Sequence, residues 1–214
     1  MVRIKICGIT NSRDYQSISR LGVDFAGFVF YDKSPRYVDE ETVSKILDSE
    51  ESPKRVRRVG VFVDESRDRI HDIYRKARLD IVQLHGSETP AFCNELDLPV
   101  WKAFRLGDGT GPPELEKFEC QAVLFDSFHP GMTGGSGRRL DPGMVERLGI
   151  EGTRFIVAGG ISEKTVGDYL ALAPYAVDIS SSVEDRPGEK NNEKIRSLVK
   201  TIREWESTNG QQDG

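Results

Sequence analysis

The feature that most constrains this chain is an alternation. Short runs rich in Val, Ile and Phe, bounded by Gly, Pro or charged residues, recur eight times, and longer segments with apolar residues at helical spacing separate them. The runs fall at residues 2–6, 24–30, 56–63, 80–84, 99–104, 122–126, 154–158 and 176–179. The intervening segments include SRDYQSISRLG, DEETVSKILDSE, SRDRIHDIYRKARL, SETPAFCNELD and SEKTVGDYLALAP, and several open on a Ser, Asp or Thr suited to an N-cap. Strands that alternate with helices pair in parallel, because each helix carries the chain back across the sheet. Eight such units in 214 residues predict an α/β chain folded as a single (β/α)8 TIM barrel with parallel strands over residues 1–206, followed by a polar C-terminal tail at 207–214. An open doubly wound sheet is the alternative, but the first strand ends in CGIT and lacks the GxGxxG dinucleotide fingerprint. The fifth connection, RLGDGTGPPELEKFE, is rich in Gly and Pro and predicts only a short helix.

Composition narrows the function classes. Hydrophobic residues at 37% and charged residues at 30% are those of an ordinary globular protein. A net charge of -5 gives no broad positive field, so a nucleic-acid partner is disfavoured and any anion site must be local, built from loops. Cys7, Cys93 and Cys120 lie far apart, with no CxxC pair and no His at zinc-ligand spacing, which reads as reduced thiols and no metal site. No stretch is long and apolar enough for a signal peptide or membrane helix, so the expectation is a cytoplasmic protein with no membrane partner.

In a barrel of this kind, chemistry is confined to the C-terminal ends of the strands and the loops that follow them. Those ends read CGIT, FYDKSPR, VDES, HGSE, RLGDG, DSFHPGMTGGSG, AGGIS and SSSVEDRPG. Residues 134–137, 158–162 and 180–184 offer unobstructed backbone N–H groups for a phosphate, although glycine also marks turns that need positive φ. Barrels frequently hold phosphate after strands seven and eight, which favours the binding reading. Cys7 ends the first strand and Asp126 the sixth, an acid and a base placed for isomerisation by proton transfer. Against this, a free Cys is usually a small apolar core residue, and an Asp at a strand end often caps a loop. A thiol titrating near about 8.5 also needs a cation nearby to serve as base. Arg36 is a candidate helper that would also pair with a substrate carboxylate, or else a solvated surface arginine. His85 and Asp178 are accessory candidates in the mouth, His85 as a hydrogen-bond donor or a loop-satisfying residue. Cys93, Cys120, Trp101 and Trp205 read as packing residues, and KRVRR as the exposed flank of strand three.

Taken together, KICGIT at 5–10, GVDFAGFVF with SPR after it, RVGVFV, VQLHG at 82–86, LFDS at 124–127, GGSG at 134–137, AGGI at 158–161 and VDISSSVEDRPG at 177–188 resemble the phosphoribosylanthranilate isomerase family over nearly the whole chain. The resemblance implies a step of tryptophan biosynthesis, the Amadori rearrangement of N-(5-phosphoribosyl)anthranilate to 1-(2-carboxyphenylamino)-1-deoxy-D-ribulose 5-phosphate. It further implies that Asp126 protonates the furanose ring oxygen, that Cys7 then takes the C2′ proton, and that Arg36 binds the anthranilate carboxylate. By the same resemblance Gly134, Gly135, Gly159, Gly160, Ser180 and Ser181 belong to phosphate-binding or loop-closing regions. No metal and no organic cofactor are implied, because the iminium formed on ring opening is itself the electron sink. The implied partner is a small-molecule sugar phosphate bearing anthranilate, bound by a monomer or homodimer.

Three departures stand out: GGSG where GGTG is usual, RRLDP where an aromatic-containing segment is usual, and PGEKNN where an Asp usually follows the Lys. The sister isomerase of histidine biosynthesis is the nearest rival, expected to carry Asp in place of Cys7 and to need a phosphate site at each end of its substrate. A non-catalytic phosphate-binding barrel is the rival of another class, and it would tolerate loss of both Cys7 and Asp126.

Overall fold

Each βα unit of this chain has to bury two surfaces, a strand face against the barrel centre and a helix stripe against the strands. The computed structural model describes residues 1–49, 56–107, 114–127, 140–148, 150 and 152–209. Its eight strands are β1 (Arg3–Cys7), β2 (Phe25–Val29), β3 (Arg57–Phe62), β4 (Ile81–Leu84), β5 (Val100–Leu106), β6 (Ala122–Ser127), β7 (Phe155–Val157) and β8 (Ala176–Ile179). Each pairs in parallel with the next, and β1 pairs with β8 to close the barrel. Every strand lies within two residues of the bounds read from the sequence.

The helices are α1 (Ser12–Arg20), α2 (Glu40–Asp48), α3 (Arg67–Lys76), α4 (Pro90–Asn94), α5 (Pro142–Glu146), α6 (Val166–Leu170) and α7 (Asn192–Asn209). Their starts are set by side chains that accept orphan N–H groups: Asn11 from Asp14, Asp39 from Thr42, Ser66 from Arg69 and Thr89 from Phe92. In the fifth connection, the described residues carry a 3-10 turn at Leu115–Lys117 in place of the expected short helix. A small antiparallel hairpin, β9 (Glu184–Arg186) with β10 (Glu189–Lys190), follows β8. No helix among the described residues is long and apolar enough to cross a membrane.

Strand periodicity divides the interior into two apolar cores. Alternate strand residues such as Ile4, Ile6, Phe28, Leu84, Phe125, Val177 and Ile179 face outward and pack with Tyr15, Ile18, Val43, Ile70, Ile73, Tyr169, Ile195 and Leu198 of the helices. The other set, including Phe25, Val59, Ile81, Trp101, Leu124, Ile156 and Ala176, fills the barrel itself. Trp101 is buried there edge-on to Phe25, as a packing role requires. One expectation is corrected in KRVRR. Arg58 is buried rather than exposed, because its backbone N–H and Nε both donate to Asp80 at the start of β4, while Lys54 and Arg55 lie outside the described residues.

Candidate active site

The inward column of β1 runs Arg3, Lys5, Cys7. The same period of two on β4, β6 and β8 gives Ile81, Gln83, His85, then Leu124, Asp126, then Ala176, Asp178, Ser180. Above an apolar floor, the barrel therefore carries a buried polar layer of Lys5, Gln83 and Asp178, and above that layer stand Cys7, His85, Asp126 and Ser180. A buried charge is tolerable only when paired and hydrogen-bonded. Lys5, fully buried, meets this condition by donating to Asp178 Oδ2 at 2.7 Å and Gln83 Oε1 at 2.9 Å. Burial works against its ammonium, but the negative charge of Asp178 and Cys7 outweighs burial and the net direction is up. Asp178 is pushed up by burial against the pull of Lys5, and its Oδ1 is buried with no hydrogen-bond partner.

Cys7 is half-buried at the tip of β1. Gly27 stands across from it in register, and a Cβ at Gly27 would lie 2.7 Å from Cys7 Sγ, so a side chain there would displace the thiol. Burial pushes the Cys7 thiol up, and Lys5 and Lys190 beside it pull it back without overcoming that cost. Lys190 and not only Arg36 therefore supplies positive charge near the thiol. The Lys190 Nζ donates to the Cys7 carbonyl at 2.6 Å and to Glu184 Oε1 at 2.6 Å, and Ser180 Oγ donates to the same Cys7 carbonyl at 3.1 Å. The tip of β1 is thus clamped by β8 and β10. Cys93 differs sharply: packed in the core, with its thiol pushed by burial up to about 11, it is a structural residue.

Arg36 is held by a bidentate pair with Glu184, Nε to Oε1 at 2.9 Å and NH2 to Oε2 at 2.6 Å. Burial works against the Glu184 carboxylate, but Arg36 and Lys190 together hold it below the usual range. The guanidinium is preorganised by this pair and keeps further N–H donors beyond the two committed to Glu184.

Asp126 is the last residue but one of β6, with Oδ1 accepting the Ser127 N–H at 2.8 Å and Oδ2 lying 3.4 Å from His85 Nε2. Its seat depends on Gly159, whose φ of +86° and missing side chain leave room: a Cβ there would sit 2.8 Å from Asp126 Oδ1. The His85 loop is fixed from below. Lys102 donates to the Gly86 carbonyl and to Glu88, and Glu88 accepts the N–H groups of Gly86 and Asp64.

The loops after β7 and β8 lie side by side because their strands pair. The Gly159 and Gly160 carbonyls are tied to Tyr169 and Thr165. Among the described residues, none supplies an acceptor to the N–H groups of Gly160, Ser181 or Ser182. Gly134 and Gly135, with the rest of GGSG, lie outside the described residues. The departure at PGEKNN has a structural answer. Asn191 accepts the N–H groups of Glu193 and Lys194 at the start of α7, the service an Asp would give, so the helix start is intact.

Lys5, Gln83, Glu184 and Lys190 are the site residues that sequence reasoning passed over. For Lys5 and Gln83 a signal existed, since each is a polar residue at an inward position two before Cys7 or His85, flanked on both sides by apolar residues. For Glu184 and Lys190 there was none, because their partners are distant in sequence.

Comparison with known proteins agrees with this fold and identifies the family. A family model described as N-(5'phosphoribosyl)anthranilate (PRA) isomerase matches residues 4–201. A relative named N-(5'-phosphoribosyl)anthranilate isomerase from Geobacter sp. (strain M21) is 40% identical over 200 residues, covering 93% of this chain and 97% of its own. Among solved structures, the phosphoribosyl anthranilate isomerase of Thermus thermophilus superposes with a TM-score of 0.86 at 36% identity, covering 95% of this chain and 99% of its own. A phosphoribosyl anthranilate isomerase in complex with reduced 1-(o-carboxyphenylamino)-1-deoxyribulose 5-phosphate gives 0.80 at 32%, covering 95% and 100%. A closed barrel with a thiol and a carboxyl at the tips of β1 and β6, matched from one end to the other, places this chain in the N-(5'-phosphoribosyl)anthranilate isomerase family, the isomerases of tryptophan biosynthesis.

Proposed function

We propose that Asp126 is the general acid and Cys7 the general base of an Amadori rearrangement of N-(5'-phosphoribosyl)anthranilate in the barrel mouth. The observation that carries this reading is geometric: Cys7 and Asp126 stand at the C-terminal ends of β1 and β6 in one closed barrel, above the buried polar layer of Lys5, Gln83 and Asp178. Asp126 delivers its proton to the furanose ring oxygen, the ring C–O bond breaks, and the nitrogen lone pair forms the iminium. The thiolate of Cys7 then takes the C2′ proton, and the electron pair of that C–H bond moves to neutralise the iminium, giving the enol-amine that tautomerises to the ketose.

Burial makes the free thiolate costly, and the iminium cation formed beside it offsets that cost at the step where the base acts. Arg36, held by Glu184, pairs with the anthranilate carboxylate through its remaining donors. The unpartnered N–H groups of Gly160 and Ser181, with Gly159 beside them, bind the phosphate, and the family resemblance adds Gly134 and Gly135 to this role, while Ser180 braces the Cys7 backbone. The Oδ1 of Asp178 is an orphan acceptor that a sugar hydroxyl would satisfy. All of these residues belong to one chain, so a monomer and a homodimer are equally able to work. Three unpaired cysteines support a cytoplasmic setting.

The test is loss of anthranilate-substrate fluorescence with the unaltered protein, Cys7→Ser and Asp126→Asn. Each variant is expected to lose on the order of 10²–10⁴ in kcat. An inactive unaltered protein, or two variants at full rate, overturns the reading. The aminoimidazole substrate of the histidine pathway, run in parallel, measures how far the site discriminates.

A further inference from the structure

A directed chain of polar contacts, two hydrogen bonds and one close approach, runs from the buried polar layer up into the mouth. Lys5 Nζ reaches Gln83 Oε1 at 2.9 Å, Gln83 Nε2 reaches His85 Nδ1 at 2.9 Å, and His85 Nε2 faces Asp126 Oδ2 at 3.4 Å. An ammonium has donors only, so the Gln83 atom facing Lys5 must be its oxygen. That leaves the Gln83 NH2 facing His85, so Nδ1 must accept and the ring proton must sit on Nε2, pointing at Asp126. The choice of tautomer is thus made at Lys5, three side chains away from Asp126.

We propose that Gln83 is a positioning residue that locks His85 as the Nε2–H tautomer and thereby keeps an N–H aimed at the Asp126 carboxyl. The consequence for catalysis rests on the reading of Asp126 as general acid. With Nδ1 accepting from Gln83 and Nε2 already carrying hydrogen, neither ring nitrogen takes the proton from Asp126, which goes instead to the substrate ring oxygen. Once that proton has left, the Nε2–H and the Ser127 N–H stabilise the two carboxylate oxygens. His85 is in this account a fixed donor and takes no part in proton transfer, and Lys5 has a second task besides balancing Asp178.

The experiment is long-range 1H–15N correlation of the imidazoles in the full-length protein at neutral pH, with His85 assigned by its loss in His85→Gln. The expected spectrum shows a protonated Nε2 and an unprotonated Nδ1. Gln83→Glu keeps an oxygen for Lys5 but presents a carboxylate to Nδ1, so the ring proton moves to Nδ1. Its kcat is then expected to fall about tenfold, the loss of one hydrogen bond to a charged group, with KM little changed. Gln83→Met removes the lock without reversing it and is expected to give mixed tautomers. A His85 protonated at Nδ1 in the unaltered protein overturns the proposal even if a Gln83 variant fails to fold, and so does a Gln83→Glu protein with unchanged tautomer and kcat. Failure of the acid assignment is distinguishable, because Asp126→Asn would then keep its rate while the His85 spectrum stands as predicted.

Discussion

Two buried lysines flank Cys7, and they do different things. Lys5 comes from the same strand, two residues before the thiol, and its charge is balanced by Asp178 inside the barrel. Lys190 comes from the far end of the chain, and its charge is balanced by Glu184 outside the strand ring, where Arg36 shares the same carboxylate. Burial is the largest influence on both, yet the net direction is up for Lys5 and down for Lys190. Cys7 favours the charged form of both, but Lys190 also faces a competing cation, Arg36, at its carboxylate, while Lys5 has Asp178 as its partner. Lys5 thus acts on the charge of the thiol and on the Gln83 chain, while Lys190 grips the Cys7 carbonyl and sets where the thiol stands.

Breaking the comparison at Lys5 should have the largest effect on stability. Lys5→Met leaves Asp178 as an uncompensated buried charge, at a cost of about 3–5 kcal/mol. Urea unfolding would show this as a lowered midpoint, and adding Asp178→Leu should recover most of it. A Lys5→Met protein as stable as the unaltered one would mean that the pair carries no net strain-relieving role. Lys190→Met should cost less, about 1.5–3 kcal/mol, since Glu184 keeps Arg36 and the loss is mainly the charge-assisted bonds to Glu184 and the Cys7 carbonyl. An equal or larger loss at Lys190 would reverse the ranking.

The pH dependence sharpens the comparison further. The Cys7 thiol is raised, so its neutral form persists above the usual thiol value of about 8.5 and the thiolate appears only as pH climbs past it. The limb of kcat/KM assigned to the base should therefore rise with pH through that range in the free enzyme. Lys5→Met should displace the limb further upward than Lys190→Met, because Lys5 is the stronger of the two cations at the thiol. Equal displacements would show that Lys190 acts on the charge as much as on the backbone. The smallest effect is expected where Lys190 hands the chain to α7. Asn191→Ala should cost about 1 kcal/mol by loss of the N-cap, and Asn191→Asp should stay within a few tenths, both read from thermal melts.

The strand tips were legible in the sequence because their evidence is local. Cys7, Asp126, His85, Asp178 and Ser180 could each be placed by counting along one apolar run, and the runs themselves fell within two residues of the observed strands. Arg36 was legible as a cation near the mouth, but its carboxylate was not, since Glu184 lies 148 positions away. KRVRR was misread for the same reason: Asp80, which holds Arg58 in a buried position, belongs to the next unit.

The sequence by itself determined the eightfold alternation, the closure it demands and the chemical types at each strand end, because periodicity, capping and turn residues act over a few positions. Only the tertiary structure decided how those types are wired. Closing β1 against β8 brings Lys5 to Asp178 across 173 positions and the Cys7 carbonyl to Lys190 across 183, pairings that no local pattern encodes. Burial inside the closed barrel then gives those pairings their force, for there a charge must find its partner and an amide can face only one way.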